Sequence, residues 1–337
     1  MTSRLIFRRR FLQKLHLALL LAVALAAPAR LVHAQPAADK KEPEQIRIGF
    51  QKSAVNLVVL KQRSTLEQRF KNSKIVWLEF PAGPQLLEAL SAGSLDFGLT
   101  GDSPPVFAQA ASKDLLYVGA EPPKPESSAI LVQAASSIKT LAGLKGKRIA
   151  VQKGSSTHFL LLQAVKKGGL AWSDIQPVYL APADARAAFE RGSVDAWAIW
   201  DPYYSAAELG FKPHVLSTGR GLSNNNSFYL ASRAFAENHP ATILTLLDEL
   251  AGADRYVQQN RKEATQLIAA VSGLDPVTVQ LFLSRRASPS PATVIDAVMV
   301  ADQQRVADSF KEIGLIPRAI KVSDIVWQPK ATAVARQ

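Results

Sequence analysis

Three hydroxyl side chains follow a glycine in the segment Gly154-Ser155-Ser156-Thr157. The segment stands between a predicted strand and a helix that we expect to begin near His158. Backbone N–H groups at a helix N-terminus lack intrahelical partners, and the helix dipole favours negative charge there. Ser155, Ser156 and Thr157 add hydroxyl donors at the same place. The segment therefore predicts an anion-binding site, with an ordinary helix cap as the alternative.

Two segments in the first half of the chain stand in comparable places. Gln51 follows a predicted strand, and Ala82-Gly83-Pro84 opens a predicted helix. Proline at the start of a helix leaves the N–H groups that follow it available to a ligand. We therefore add Gln51 and Gly83 to the candidate ligand-binding residues.

A turn at Thr100-Gly101-Asp102 comes directly after another predicted strand. We expect the Asp102 carboxylate to hold backbone N–H groups of the next helix, while Thr100 and Gly101 face a ligand. The alternative is that Asp102 only caps that helix. All three residues are candidates for the binding site.

Aromatic side chains and a carboxylate meet in the segment Trp200-Asp201-Pro202-Tyr203-Tyr204. Such a composition at a strand end is typical of an amphipathic pocket wall, so Trp200, Asp201 and Tyr203 are candidates too. We expect Asp201 to orient its loop rather than contact an anion, because like charges repel. In the alternative interpretation Trp200 lies in the core and the tyrosines lie at the surface.

Residues that could perform catalysis or bind a metal are sparse. The chain has no cysteine, which excludes disulfides, thiolate metal sites and a cysteine nucleophile. The five histidines are scattered, and the usual hydrolase, metalloprotease and nucleotide-binding motifs are missing. His158 could act as a base for Ser155, but no third residue orients it. We expect no enzyme activity, no catalytic residue, no metal and no cofactor.

The N-terminal 34 residues have the composition of an export signal. Arg4 and Arg8-Arg9-Arg10 precede an apolar run over residues 15–27, and Val32-His33-Ala34 resembles a cleavage site. The apolar run is shorter than the ~18–20 residues that cross a bilayer, which disfavours the alternative of a membrane anchor. A twin-arginine signal and a Sec signal both fit, and either one predicts a periplasmic protein.

The charge of the chain does not indicate nucleic-acid binding. The 337 residues carry 40 Lys and Arg against 28 Asp and Glu, a net charge of +12. Six of the basic residues and none of the acidic ones lie in residues 1–34, and the remaining 34 form no dense block. Nucleic-acid binding would need a concentrated basic patch. Residues 35–44 lack apolar periodicity and are expected to form a flexible leader.

The most informative pattern is an internal repeat. Its echoes keep one order at offsets of 99 to 101 residues: 48–52 (IGFQK) with 149–153 (IAVQK), Pro81 with Pro182, 93–96 (GSLD) with 192–195 (GSVD), and Asp102 with Asp201. Each copy predicts the order strand, helix, strand, helix, strand. This alternation is typical of an α/β fold with a doubly wound sheet.

Two copies predict two lobes, each a doubly wound sheet with flanking helices, and a ligand cleft between them. Ligands of open α/β sheets bind at the carboxyl ends of the strands. The chain is expected to cross between lobes near residues 121–128 and to return near 224–231. This predicts lobe 1 over residues 45–125 and 226–330, lobe 2 over 126–225, and a tail over 331–337. Helices are expected, among others, at 55–70, 158–167, 240–258 and 291–313.

Long stretches of the chain resemble the aliphatic sulfonate-binding proteins of ABC importers, within the sulfonate, nitrate and taurine-binding group. The resemblance covers about residues 45–330 and is strongest over 78–206. It rests on residues 48–52, 80–85 (FPAGPQ), Gly101-Asp102, 121–125 (EPPKP), 151–156 (VQKGSS) and 181–204. Ser53-Ala54-Val55-Asn56 departs from the family pattern, which has a glycine after the first strand.

The resemblance implies a two-lobed periplasmic binding protein of type II topology. It would capture aliphatic sulfonates by hinge closure and deliver them to a membrane-embedded ABC permease, as a monomer. Neutral donors suffice for a sulfonate, so no arginine is required, with a contribution from Arg286 as the alternative. The expected bridging donors are Gln51, Gly83 and Thr100 from lobe 1 and Ser155, Ser156 and Thr157 from lobe 2.

Three alternatives remain open from the sequence. The protein could bind taurine, nitrate or another small anion of the same superfamily. It could be a secreted enzyme on the same scaffold, with activity dependent on His158. A LysR-type effector domain shares the fold, but it would need an N-terminal helix-turn-helix where this chain has an export signal.

Overall fold

The computed structural model describes residues 42–329. The predicted signal peptide (1–34), residues 35–41 of the predicted leader and the predicted tail (331–337) lie outside the described residues. The strands are β1 (Gln45–Phe50), β2 (Lys74–Glu79), β3 (Phe97–Gly101), β4 (Leu115–Glu121), β5 (Ser128–Val132), β6 (Arg148–Val151), β7 (Gln176–Tyr179), β8 (Ala196–Trp200), β9 (His214–Thr218) and β10 (Ser227–Ser232). The α-helices are α1 (Val55–Gln62), α2 (Thr65–Arg69), α3 (Gly83–Ser91), α4 (Ser103–Ala110), α5 (Ser156–Lys167), α6 (Pro182–Glu190), α7 (Tyr203–Phe211), α8 (Arg233–Asn238), α9 (Pro240–Gln259), α10 (Arg261–Ser272), α11 (Pro276–Ser284) and α12 (Ala297–Glu312).

The strands form two five-stranded sheets with equivalent strand orders, β2-β1-β3-β10-β4 and β7-β6-β8-β5-β9. In each sheet the first three of these strands are parallel. One antiparallel strand, β10 or β5, lies between the third strand and the outer one. The predicted two-lobed α/β fold is therefore confirmed, and we call the sheets with their helices lobe 1 and lobe 2. The predicted lobe boundaries fall in the connections β4–β5 and β9–β10, and they stay predictions.

The internal repeat appears in the hydrogen bonds of both lobes. Asp96 Oδ2 accepts a backbone N–H of β1 at 2.8 Å, and Asp195 Oδ2 accepts one of β6 at 2.7 Å. Gly93 and Gly192 have φ angles of +74° and +71°, the left-handed conformation that glycine adopts most readily. Each glycine therefore turns the chain after its helix and brings the aspartate to the first strand of its sheet.

Apolar side chains cover both faces of the second sheet. In β5, Ala129 and Leu131 belong to one buried cluster, while Ile130 and Val132 belong to the other. This alternation follows the period of two along a strand. Burial of each large apolar side chain stabilises the fold by ~1.5–3 kcal/mol, so the sheets hold the turns at their ends firmly in place.

Two helices have other bounds than the sequence predicts. The single helix predicted over residues 55–70 is divided into α1 and α2, because Ser64 adopts a left-handed φ of 50° that interrupts the helix. The helix predicted over residues 158–167 begins earlier, at Ser156, with Ser155 as its cap. The hydroxyl-rich segment is therefore the first turn of α5 rather than a loop before it.

The helix predicted over residues 291–313 begins only at Ala297. Thr293 forms two backbone hydrogen bonds of 2.9 Å with Ala120 of β4, and groups used in this bridge cannot also serve a helix. The Asp296 side chain accepts the Met299 N–H at 2.8 Å and caps α12. The residues before Asp296 consequently stay extended.

Among the described helices, none is by itself long and apolar enough to cross a membrane. α10 and α11 meet the length and composition criteria only as a pair, bent by 116°. Their buried residues pack into the core of lobe 1.

Candidate functional site

A cavity is lined by segments that follow strands of both lobes. From lobe 1 come Gln51, Gly83, Thr100 and Gly101. From lobe 2 come Ser155, Ser156, Trp200 and Asp201. These eight are candidates from the sequence, and the structure brings them together because carboxyl ends of strands and N-termini of helices meet there.

The other three candidates are not among the lining residues. Thr157 Oγ1 donates to the carbonyl of Ala198 in β8 at 3.2 Å, which fixes the start of α5. Tyr203 packs edge-on against Trp200, with ring centroids 6.1 Å apart. Asp102 is buried, and its carboxylate accepts the N–H and the hydroxyl of Ser103 at the start of α4, although it makes no cap hydrogen bond further along the helix. All three support residues that line the cavity.

The N-terminus of α5 keeps its donors available. Ser155 has an extended backbone and stands at the cap position of the helix, but its side chain accepts no N–H of the first turn. Its Oγ donates instead to the Gln152 carbonyl at 2.8 Å. Gly154, with a φ of +73°, provides the turn from β6 into this position. The first N–H groups of α5 therefore remain for a ligand.

The lobes touch where Gly101 meets Ser156. A Cβ atom on Gly101 would lie 1.8 Å from Ser156 Oγ, so a larger residue would displace this hydroxyl. The Ser156 hydroxyl also hydrogen-bonds Asp102, whose Oδ1 accepts the Ser103 hydroxyl at 2.8 Å. Burial raises the pKa of Asp102 to about 7, although these hydroxyls and the charge of Lys124 lower it. Asp102 can therefore hold a proton near neutral pH.

Asp201 occupies the opposite wall and is 2% exposed. Its Oδ1 accepts the N–H and the hydroxyl of Ser205, at 2.9 and 2.5 Å, which orients the loop at the start of α7. Arg285, which follows α11, places Nη1 3.3 Å from the same oxygen and also pairs with Glu208. Burial raises the pKa of Asp201 to about 6, although Arg285 and Ser205 lower it.

Comparison with known proteins identifies the family of this chain. A family model described as NMT1-like matches residues 39–272. A relative from Escherichia coli (strain K12), named for binding aliphatic sulfonates, is 49% identical over 292 residues, which cover 87% of this chain and 91% of the relative. The chain belongs to the NMT1-like family.

Two solved structures resemble this NMT1-like protein throughout most of their length. The alkanesulfonate-binding protein SsuA from Xanthomonas axonopodis pv. citri, bound to MOPS, has a TM-score of 0.82 and 49% identity, covering 85% of this chain and 99% of that one. The periplasmic aliphatic sulphonate binding protein SsuA from Escherichia coli has a TM-score of 0.79 and 50% identity, covering 86% of this chain and 93% of that one. The resemblance to the aliphatic sulfonate-binding proteins, inferred from the sequence, is confirmed.

Sequence reasoning missed a cation in the cavity of this NMT1-like protein. Lys124 lines the cavity, and its Nζ lies 2.6 Å from Ser227 Oγ and 3.2 Å from Glu121 Oε2. Arg286 lies 3.5 Å from the other Glu121 oxygen. Burial opposes the charge of Glu121, but the two cations outweigh it and its pKa is lowered. Two cations therefore share one carboxylate: Lys124, which is not among the sequence candidates, and Arg286, which the sequence left open.

The signal for Lys124 was its place in the Pro-rich connection between lobes. A Pro-rich connection is typical of a hinge. The sequence does not show which distant residues its charged side chains contact, so Lys124 was not predicted to line the cavity. Four further residues line the cavity from the connections, from β10 and from α11, namely Ser127, Asn225, Ser227 and Phe282. The position after β1 is equally informative, because Ser53 lines the cavity while Asn56 is buried and donates to Glu121 Oε1 at 3.3 Å.

His158 is a core residue and not a base for Ser155. Its Nδ1 accepts the Gly154 N–H at 3.1 Å, and its ring packs between Phe107 and Phe310 of lobe 1 and the aromatic residues of lobe 2. Burial, helped by the charge of Lys153, lowers the pKa of His158 to about 3. The pairing that the enzyme alternative requires is therefore not formed.

Metal binding has no counterpart in the described part of the chain. Within residues 42–329, no group of three or more His, Asp or Glu residues is arranged to hold an ion. The carboxylates beside the cavity accept hydrogen bonds from hydroxyl groups or form ion pairs with Lys and Arg side chains.

Proposed function

We propose that this protein captures aliphatic sulfonates between its lobes and releases them chemically unchanged to a membrane-embedded ABC permease. The observation that carries the proposal is that helix N-termini of both lobes, at Gly83 and Ser155, open onto one cavity. The names of its relatives at 49% and 50% identity support the same ligand class. Export to the periplasm, by a Sec or twin-arginine signal, and a monomeric state belong to this proposal.

The donors suit the chemistry of a sulfonate. This group stays ionised at biological pH and offers three acceptor oxygens and no donor. Thr100 and Ser156 supply hydroxyls, and the Gln51 amide is held in place by a 3.1 Å hydrogen bond to the Leu99 carbonyl. Each charge-assisted hydrogen bond contributes ~1.5–3 kcal/mol, so a few of them suffice for tight binding. Lys124 adds a positive charge on the same cavity.

The apolar lining suits a hydrocarbon tail. Leu99 and Pro104 of lobe 1, Trp200 of lobe 2 and Phe282 of α11 face the cavity. Burial of a tail against them would stabilise the complex by ~25 cal/mol for each Å² removed from water. Nitrate and sulfate lack such a tail and would gain nothing from these side chains.

Hinge closure is the proposed mechanism, with residues 45–125 and 226–330 moving against residues 126–225. Contacts between these units are already made at Gly101 with Ser156, at Arg285 with Asp201, and at Phe107 with His158. A ligand that contacts both units binds the closed state better than the open one and shifts the population toward it.

Calorimetry with ethanesulfonate on the chain without residues 1–34 tests the proposal. We expect the double variant Ser155→Ala/Ser156→Ala to bind at least tenfold more weakly, while the exposed control Ser94→Ala binds as the unmodified chain does. Unchanged affinity of the double variant would contradict the role of lobe 2. A thermal-shift series over C1–C8 sulfonates, nitrate and sulfate then defines the tail, and stabilisation by nitrate alone would contradict the ligand class.

Taurine is a second candidate that one observation favours. Asp201 Oδ2 is buried in the cavity wall and has no hydrogen-bond partner among residues 42–329. The ammonium group of taurine could donate to this oxygen. Competition between taurine and ethanesulfonate, which differ only in that ammonium group, separates the two ligands.

A further inference from the structure

The two carboxylate oxygens of Asp201 are in different situations. Oδ1 accepts two hydrogen bonds from Ser205 and lies beside Arg285. Oδ2 is buried and has no hydrogen-bond partner within the described range 42–329. Since Asp201 lines the cavity, this unpaired oxygen belongs to a side chain of the cavity wall. An unpaired polar atom in such a position is unfavourable until a partner arrives.

The cations near Asp201 are already shared with other carboxylates. Arg285 contacts Glu208 as well as Asp201, and Lys124 contacts Glu121. The charged and titratable groups of the elements around Asp201 are Tyr204 and Glu208 on α7, Arg285 after α11, Lys124 and Glu126 in the β4–β5 connection, and Asp102 before α4. Arg220 draws Glu126 into an exposed pair, so no further cation is added from there.

An ionised Asp201 and a bound sulfonate would therefore place two negative charges in one buried cavity. Like charges at close range in a poorly hydrated site repel strongly, and the group that can take a proton does so. A sulfonate cannot, because it is far too weak a base. Asp201 can, and its Oδ2 would then be a donor that faces an acceptor.

Resting on the proposed function, we propose that Asp201 binds the sulfonate as a carboxylic acid, with one proton taken from water onto Oδ2 and the new O–H donating to a sulfonate oxygen. Hydrogen bonds from an O–H to an anionic oxygen are among the strongest in proteins. The proton stays on the carboxyl while the ligand is bound and returns to water on release. The ligand leaves unchanged.

The burial of Asp201 supports the proposal, because it raises the pKa of the carboxyl to about 6 before any ligand is present. A bound anion raises this pKa further. Below about pH 6 the free protein already carries the proton, and affinity should not depend on pH. Above this pH one proton must be taken up, and the dissociation constant should increase by up to tenfold for each pH unit.

The test is calorimetric titration of the chain without residues 1–34 with ethanesulfonate, between pH 5.5 and 8.5, in two buffers of different ionisation enthalpy. We expect close to one proton taken up for each ligand bound near pH 7.5. Binding without proton uptake would overturn the inference and leave the proposed function intact. Absence of binding at every pH would overturn both.

Variants assign the proton to its residue. Asp201→Asn retains a neutral side chain that can donate, so it should bind ethanesulfonate with an affinity that no longer depends on Asp201 protonation, and with proton uptake abolished. Asp102→Asn should retain the uptake, and the exposed control Asp248→Asn should behave as the unmodified chain. Loss of uptake in Asp102→Asn alone would overturn the assignment. If Asp201→Asn does not fold, retained or lost uptake in Asp102→Asn still decides.

Taurine completes the test. If Asp201 binds as an acid, taurine should bind more weakly than ethanesulfonate, because its ammonium group finds no carboxylate. Stronger binding of taurine, without proton uptake and lost in Asp201→Asn, would show an ionised carboxylate and would overturn the inference.

Discussion

Asp102 of lobe 1 and Asp201 of lobe 2 occupy matching places in the internal repeat, yet different partners hold them. Both are almost fully buried beside the cavity. Asp102 is held by the hydroxyls of Ser103 and Ser156, whereas Asp201 is held by Ser205 and by the guanidinium of Arg285. We call the side of the cavity at Asp102 the first wall and the side at Asp201 the second wall. Hydroxyl groups stabilise the first wall, and an ion pair stabilises the second.

The internal repeat extends to contacts within a sheet but not to contacts between the lobes. The aspartates at the first strands, Asp96 and Asp195, make the same backbone hydrogen bond in both lobes because the partner lies in the same sheet. Asp102 and Asp201 each take one partner from their own lobe and one from the other lobe, Ser156 and Arg285 respectively. The partners from the other lobe differ because the two lobes are not surrounded by the same elements. Only lobe 1 carries the C-terminal helices that bring Arg285 to the cavity.

The largest expected effect comes from removing the ion pair of the second wall. Arg285→Gln leaves the buried Asp201 without its cation, and we expect the free energy of unfolding to fall by about 3–5 kcal/mol. The control Arg220→Gln breaks an exposed pair with Glu126 and should cost about 1 kcal/mol or less. Urea unfolding at pH 8 measures both. Equal effects of the two variants would contradict the distinction between the walls.

The pH dependence of stability should be stronger for Asp102 than for Asp201. Burial raises both folded pKa values, to about 7 and about 6, above the usual value of 3.8. The unfolded chain therefore loses these protons first, and stability falls as pH rises through the window up to each folded pKa. Between pH 5 and 7, Asp102→Asn should remove about 2 kcal/mol of this loss and Asp201→Asn about 1 kcal/mol.

Urea unfolding at pH 5 and pH 7 without ligand checks this expectation. Asp248→Asn, at an exposed position, is the control and should leave the difference between the two pH values unchanged. A larger change in Asp201→Asn than in Asp102→Asn would reverse the order of the two carboxyls.

A methyl group on Gly101 should break the hydrogen bond between the Ser156 hydroxyl and Asp102. Gly101→Ala puts a Cβ where Ser156 Oγ now lies, so that hydroxyl must leave Asp102 and the closed arrangement is disfavoured. We expect ethanesulfonate affinity to fall by about tenfold, which is ~1.4 kcal/mol. Gly210→Ala has open space around it and should bind normally. Normal binding by Gly101→Ala would mean that this contact does not contribute to closure.

The smallest effects should come from the serines beside the two carboxyls. Ser103→Ala and Ser205→Ala each remove one hydroxyl donor, and we expect a loss of about 1 kcal/mol in unfolding free energy. The loss should be smaller for Ser205→Ala, because the Ser205 N–H and Arg285 still contact Asp201. Chemical unfolding at pH 8 ranks the pair, and the opposite ranking would show that the ion pair contributes little.

Much of the fold was predictable because it depends on local periodicity and on the repeat. The order of strands and helices within each copy of the repeat and the presence of two lobes follow from patterns that extend over a few residues or recur after about 100. The errors arose where a single residue or a distant bridge decides the backbone. Ser64 breaks one predicted helix, and the bridge of Thr293 to Ala120 delays another.

The candidate site was predictable where it consists of backbone donors at strand and helix ends. Eight of the eleven candidate residues line the cavity, because a turn after a strand of an open α/β sheet points to the same edge wherever it occurs. Lys124 and Arg285 were not predicted. Their importance depends on contacts with residues that are distant in sequence, Ser227 for Lys124 and Asp201 for Arg285.

The amino-acid sequence by itself determines two similar α/β halves, the turns at the carboxyl ends of their strands and the neutral hydrogen-bond donors in those turns. Each of these features depends on residues that are close together in the sequence. Only the folded chain decides which buried charges meet across the cavity, and so which carboxyl is paired and which can hold a proton. The physical reason is that ionisation of a buried group depends on neighbours within a few ångströms in space, wherever they stand in the sequence.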